Sequence, residues 1–131
     1  MSNITYLRIY SGPDGCSHLE DRTVGLAGSD YAPPAVPLFT STPETATTTL
    51  FLELPVGWYG EWHPTPVRQW LILMTGALEF EAGDGAFRQS VAGDVVLLDD
   101  LTGPGHQTRV LGDTAVRIAA IHLPADGPLP E

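Results

Sequence analysis

The sequence predicts an all-β protein made of short strands. Apolar and polar residues alternate over brief runs, and helical periodicity is hard to find anywhere in the chain. The 131 residues include 14 Gly and 12 Pro, which places turn residues between most of these runs. Many short strands separated by Gly- and Pro-containing turns are typical of a sandwich or barrel.

Nine segments carry the strand pattern: residues 4–10, 18–26, 46–55, 68–74, 77–82, 86–91, 94–99, 105–111 and 115–123. In residues 77–82, Leu78 and Phe80 alternate with Glu79 and Glu81. Successive side chains of a strand point to opposite faces, so one face of this strand is predicted to be buried and the other to face water.

The region from Ser29 to Pro43 carries four prolines in the stretch SDYAPPAVPLFTSTP. Proline lacks a backbone donor, so this region is predicted to be an extended arm or lid without regular structure. The length favours a single domain covering residues 1–131, with an N-terminal arm and strands at 1–45, a barrel core at 46–124 and a tail at 125–131. The tail is expected to be loose.

The charge balance excludes several partners. Sixteen acidic residues stand against six arginines and no lysine, which gives a formal net charge of -10. Nucleic acids and anionic membranes attract basic surfaces, so neither is an expected partner. No apolar run is long enough to span a membrane, and the N-terminus lacks a signal-peptide pattern. A lone Cys16 fits a reducing compartment, so the expected location is the cytoplasm.

A first motif runs from Gly57 to Gly76. Five residues separate Gly57 from His63. One residue separates His63 from Thr65, and three separate Thr65 from Gln69. This pattern resembles the first motif of the cupin family, G(X)5HXH(X)3,4E(X)6G, with Thr65 at the second histidine and Gln69 at the glutamate. In cupins the motif covers two strands of a jelly-roll barrel and points its ligands inward at a metal.

The alternation of side chains along a strand also predicts that the polar residues of this motif point inward. His63, Thr65 and Gln69 share the parity of Leu71 and Leu73, so the three polar side chains are predicted to end an apolar wall. A polar cap on an apolar wall is typical of a small-molecule cavity. The alternative is that His63 only forms a hydrogen bond within a proline-containing turn.

A second motif runs from Gly93 to Val110. It resembles the second cupin motif, G(X)5PXG(X)2H(X)3N, because Gly103 and His106 keep the GxxH spacing. It departs from that pattern at Leu101, which replaces the proline, and at Val110, which replaces the asparagine. It is also two residues longer. Together the motifs imply a small single-domain cupin, an antiparallel jelly-roll β-barrel.

The resemblance implies a site built from His63, Gln69 and His106. These residues are the candidate ligands of one divalent transition metal, such as iron, manganese, nickel or zinc. Two imidazoles and an amide carry no negative charge, whereas strong sites of this kind usually add a carboxylate. Asp99 or Asp100 would supply one if the longer turn folds over the cavity. Without a metal, the same side chains suit acid–base chemistry near neutral pH, and both interpretations stay open.

Four residues near the motifs are candidate substrate contacts: Trp62, Thr65, Arg68 and Arg109. Parity places both arginines opposite the candidate ligands, where ion pairs with surface carboxylates are one interpretation. The other is that one of them anchors an anionic substrate at the rim. Trp62 is predicted to line the cavity or to pack in the core or a dimer interface.

The sequence therefore favours an enzyme that acts on a small, mostly apolar organic substrate. The reaction classes are isomerisation, cyclisation, lyase chemistry and metal-dependent oxygenation, with His63, His106, Gln69 and Asp100 as the catalytic residues. The alternative is a small-ligand-binding protein without turnover. A homodimer is expected, because strands laid over a neighbouring subunit would protect exposed sheet edges.

Overall fold

The computed structural model describes residues 2–131. Eleven strands lie in this range: β1 Ser2–Ser11, β2 Ser17–Ser29, β3 Leu38–Thr40, β4 Thr48–Leu54, β5 Tyr59–His63, β6 Gln69–Leu73, β7 Ala77–Glu81, β8 Phe87–Val91, β9 Val95–Asp99, β10 His106–Leu111 and β11 Val116–His122. All nine predicted strands are present. In the same range no helix is long and apolar enough to cross a membrane.

The strands form two sheets. One has seven strands in the order β3-β2-β1-β9-β6-β11-β4, and the other has four in the order β5-β10-β7-β8. The pairs are antiparallel except β1 with β9, which run parallel. The predicted all-β jelly-roll architecture is confirmed, but as a sandwich of two sheets and not as a closed barrel.

The main core lies between the two sheets. It contains the buried side chains Leu7, Ile9, Leu71, Leu73, Leu78, Phe80, Val96, Leu98, Val110, Val116, Ile118 and Ala120, which come from strands of both sheets. Leu78 and Phe80 are buried, whereas Glu79 and Glu81 keep part of their surface in water, as the alternation predicts. The sheets therefore pack through one face of each strand.

A second apolar cluster covers the outer face of the seven-stranded sheet. Tyr6, Leu97 and Leu123 are buried there, with Trp70 and Leu129 packed against them. This cluster explains why the run VVLL in β9 is apolar at every position, because β9 is buried on both faces.

The prediction of a loose tail was wrong. The hydroxyl of Tyr6 donates a hydrogen bond to the carbonyl of Pro130 at 3.1 Å, and Arg68 donates to the carbonyl of Pro128 at 3.0 Å. Pro130 is itself buried. These contacts, and the packing of Leu129 on the second cluster, hold the tail against the sheet.

Strands β3 and β5 are additions to the predicted set. β3 lies within the proline-rich region, between Pro37 and Pro43, and pairs with the end of β2. Its three residues contain no proline, so their backbone donors are free to join the sheet. β5 lies within the first motif, where Pro64 ends it directly after His63.

An ion-pair cluster joins two loops at one end of the sandwich. The ring of His18 lies 2.9 Å from Asp14 through Nε2 and 2.9 Å from Asp84 through Nδ1. The hydrogen bond to Asp14 is the main cause that raises the pKa of His18, and the same bond is the main cause that lowers the pKa of Asp14.

This cluster predicts a pH-dependent stability difference. A raised histidine pKa stabilises the fold fully below about pH 6.5, and this stabilisation is lost as pH rises through the folded-state value. The lowered pKa of Asp14 stabilises the fold above about pH 4, and this effect is lost as pH falls through its folded-state value. The Tm difference between wild type and His18→Gln is therefore expected to be largest between about pH 4 and 6.5. A difference that stayed constant from acid to alkaline pH would contradict the assignment.

Candidate functional site

A cavity of about 140 Å³ lies between the two sheets. Its apolar lining comprises six aliphatic side chains, Leu52, Leu54, Leu71, Leu78, Leu98 and Ile118, and the rings of Trp58, Pro66 and Phe80. Five polar side chains complete it: His63, Thr65, Gln69, His106 and Thr108. Apolar walls with a few converging polar groups are typical of a small-molecule site.

The two motif histidines meet in this cavity. His63 ends β5 and His106 begins β10, and these residues are directly paired across the two antiparallel strands. Their ring centroids lie 5.0 Å apart with an interplanar angle of 51°. The ladder thus brings together two imidazoles that are 43 positions apart in the chain.

Gly105 makes this pairing possible. Its φ is +76°, and a Cβ at this position would lie 1.9 Å from the carbonyl oxygen of His63. Only glycine avoids both the left-handed strain and this backbone clash. The approach of β10 to β5 at the two histidines therefore depends on a residue without a side chain.

Each imidazole is held through its Nδ1 atom. Nδ1 of His106 lies 2.6 Å from a carboxylate oxygen of Asp100. Nδ1 of His63 pairs with the backbone carbonyl of Glu61, which can only accept, so this nitrogen carries the proton. In neutral His63 the lone pair is then on Nε2, the nitrogen left for a ligand in the cavity.

The amide of Gln69 is oriented by Thr65. The Thr65 hydroxyl donates to the carbonyl of Val67 at 2.7 Å, so its oxygen accepts from Nε2 of Gln69 at 3.2 Å. This chain of bonds fixes which side of the amide is nitrogen. The Oε1 atom of Gln69 is left as a free acceptor, and both side chains are almost fully buried.

Asp100 lies behind His106 and does not line the cavity. It is 0% exposed, and its Oδ1 atom has no hydrogen-bond partner among residues 2–131. Its backbone carbonyl accepts from the amide of Thr65 at 3.0 Å. Asp100 therefore positions His106 and does not reach a ligand directly. Asp99 is turned away as well, because its carboxylate binds Arg8 and Arg68.

The candidate metal ligands are His63, His106 and Gln69, a set without a carboxylate. Within residues 2–131, no group of three His, Cys, Asp or Glu side chains is arranged to hold a metal ion. His63, His106 and Gln69 would supply two imidazoles and an amide, all neutral. The one carboxylate near them, Asp100, is already engaged with Nδ1 of His106.

Three of the predicted substrate contacts lie away from the cavity. The buried Arg68 binds Asp99 through Nε at 3.2 Å on the far face of its sheet, as parity predicted. Arg109 is exposed, 3.7 Å from Glu79. Trp62 lies on the opposite side of β5 from His63, in a surface groove. The fourth residue, Thr65, does line the cavity, but its hydroxyl is committed to Val67 and Gln69.

Three contributors were not assigned to the site from the sequence: Gly105, Thr108 and the wall residue Trp58. Thr108 shares the parity of His106 on β10, which is a signal that places both side chains on one face. Trp58 faces the cavity because Gly60 leaves room for its ring, since a Cβ on Gly60 would lie 2.4 Å from it. That contact has no signature in the sequence alone.

Comparison with solved structures shows a similarity to the cupin domain of Schizosaccharomyces pombe Cnp3. The TM-score is 0.49 at 14% identity, with 93% of this chain and 88% of that chain covered. No family model and no curated protein matches the chain. In this chain both motifs meet in one cavity between the two sheets.

Proposed function

We propose that the protein is a small-molecule enzyme that moves protons within the cavity. The chemistry would be an isomerisation, a cyclisation or a lyase reaction on a small, mostly apolar organic substrate. The observation that carries this proposal is the pair of imidazoles, with ring centroids 5.0 Å apart, inside a largely apolar cavity.

The hydrogen bonds that hold the two imidazole rings support a role in acid–base catalysis. A general base must hold its lone pair in a fixed position within hydrogen-bond reach of the proton that it removes. The bonds from His63 to the Glu61 carbonyl and from His106 to Asp100 fix both rings and leave both Nε2 atoms for the substrate. One imidazole removes a proton from the substrate, and the other returns a proton at a second position.

Gln69 and Asp100 have supporting roles in this mechanism. The free Oε1 of Gln69 orients the substrate by accepting a hydrogen bond, and Asp100 holds His106 in place. The apolar walls exclude water and so strengthen each of these polar contacts. A metal is not part of the proposal, because proton transfer by the two imidazoles does not require one.

The test is deuterium exchange from D₂O into a panel of neutral ketones and hydroxy compounds small enough for the cavity, followed by NMR. His63→Asn and His106→Asn each keep a donor near the position of Nδ1 but remove Nε2. Each is expected to lower the exchange rate at least about 100-fold, the usual range for loss of a positioned acid or base. Gln89→Leu, at an exposed position on β8, is the matched control and is expected to keep the rate.

Three results would contradict the proposal. Exchange that survives both histidine substitutions would remove the imidazoles from the mechanism. Exchange that stops after a chelator is added, and returns with a transition metal, would show metal-dependent chemistry instead. Binding of panel compounds without any exchange would favour the alternative, a ligand-binding protein.

We also propose that two copies associate through the arm and the edge of the seven-stranded sheet. Four exposed apolar side chains lie there: Tyr31, Val36, Leu38 and Phe39. An unpaired strand edge offers free backbone groups to a second chain, and exposed apolar side chains beside it favour association. Sedimentation velocity is expected to show a dimer that Phe39→Glu converts to a monomer. Phe87→Glu, at the edge of the other sheet, is expected to leave the dimer intact.

A further inference from the structure

We propose that the cavity takes a neutral, single-ring hydroxy compound of about the size of phenol. This inference rests on the proposed function only in using the same cavity, because it concerns binding and not turnover. It follows from the volume, the charge and the hydrogen-bonding groups of the lining.

The volume sets the size of the ligand. An apolar cavity of about 150 Å³ in a protein is known to hold benzene. The cavity here is about 140 Å³, so it accommodates a single six-membered ring with one small substituent. Two fused rings, a sugar bearing a phosphate or a long alkyl chain would not be fully enclosed in this space.

The lining sets the charge of the ligand. No Arg, Lys, Asp or Glu side chain lines the cavity in the part of the chain that the structure describes. An ion buried without an opposite charge loses its hydration without compensation. Both benzoate-like anions and amine cations are therefore disfavoured relative to a neutral molecule.

The polar side chains set the chemistry of the head group. His63 donates through Nδ1 to the carbonyl of Glu61, and Gln69 donates through Nε2 to Thr65. Nε2 of His63 and Oε1 of Gln69 therefore remain as hydrogen-bond acceptors for a ligand. A hydroxyl donates to such an acceptor, whereas an ether does not.

The walls favour an aromatic ring over a saturated one. The rings of Trp58 and Phe80 line the apolar part, and the rings of His63 and His106 lie at the polar end. Offset and edge-to-face contacts between such rings and an aromatic ligand stabilise binding beyond the burial of apolar area.

The test uses phenol as the probe, titrated into the purified protein and followed by NMR of the leucine methyl and histidine ring signals. One saturable site is expected. Anisole has the same ring but no donor, and it is expected to bind at least about tenfold more weakly, the effect of one hydrogen bond. Benzoate tests the charge, and 1-naphthol tests the size.

Variants separate the three parts of the inference. Gln69→Leu is expected to weaken phenol binding about tenfold, whereas the surface control Gln89→Leu leaves it unchanged. Leu52→Ala enlarges the apolar wall and is expected to admit 1-naphthol. The inference is overturned if phenol shows no saturable binding up to millimolar concentrations. It is also overturned if wild type binds anisole, benzoate or 1-naphthol as tightly as phenol.

The phenol-binding test and the deuterium-exchange test can fail independently of each other. Phenol binding together with unchanged deuterium exchange in His63→Asn would leave this inference standing and remove the proposed mechanism. Loss of exchange in His63→Asn without phenol binding would overturn this inference alone.

Discussion

Gly105→Ala is expected to destabilise the protein by about 2–5 kcal/mol, the sum of left-handed backbone strain and overpacking. The φ of +76° is unfavourable for alanine, and its Cβ would lie 1.9 Å from the His63 carbonyl oxygen. Because that atom belongs to the backbone, relief requires β5 and β10 to separate. Chemical denaturation measures the loss in the free energy of unfolding.

Gly112→Ala is the matched control. Gly112 has a similar φ of +71°, but no atom lies within 4 Å of the position its Cβ would take. This variant is expected to lose only the strain contribution, about 1–2 kcal/mol. Equal losses in the two alanine variants would show that the contact between Gly105 and His63 does not limit the approach of the strands.

His106→Leu is expected to destabilise the protein by about 3–5 kcal/mol, although leucine is close to histidine in volume. Asp100 is fully buried, and its side-chain partner is Nδ1 of His106 at 2.6 Å. Leucine leaves the carboxyl group in the interior without a partner, which is far more costly than replacing both members of a buried pair. Thermal and chemical unfolding measure the effect.

The double variant Asp100→Ala/His106→Leu tests this explanation. It removes both polar groups and is expected to recover at least about 2 kcal/mol of the loss while remaining inactive in proton exchange. His63→Leu is the control, because His63 is only partly buried and pairs with a backbone carbonyl. A double variant less stable than His106→Leu would show that Asp100 is stabilised by something other than the imidazole.

The strand pattern could be predicted because burial follows alternation in this fold. Leu78 and Phe80 face the core while Glu79 and Glu81 do not, and this difference is visible in the residues alone. β3 could not be predicted, since three residues between prolines carry too little periodicity. The docking of the tail depends on an apolar outer face of the sheet, which becomes evident only when Tyr6, Leu97 and Leu123 are brought together in space.

The candidate site was predictable to the extent that motif spacing fixes it. Spacing and parity placed His63, Gln69 and His106 in one cavity and placed Arg68 and Arg109 on the other face. The direction of the Asp100 carboxylate was not predictable, because the longer turn allows it to face the cavity or the back of His106. The small volume of the cavity depends on how far the two sheets approach, which no local pattern encodes.

The register between β5 and β10 has a consequence for substrate choice. His63 and His106 occupy partnered positions at the ends of β5 and β10, next to a register shift between His106 and Thr108. A ladder of backbone hydrogen bonds deforms little, and catalysis is sensitive to displacements of about 1 Å. The strand pairing sets the spacing of the two imidazoles, and under the proposed function, molecules whose two reacting positions do not match this spacing are expected to react slowly even when they fit the cavity.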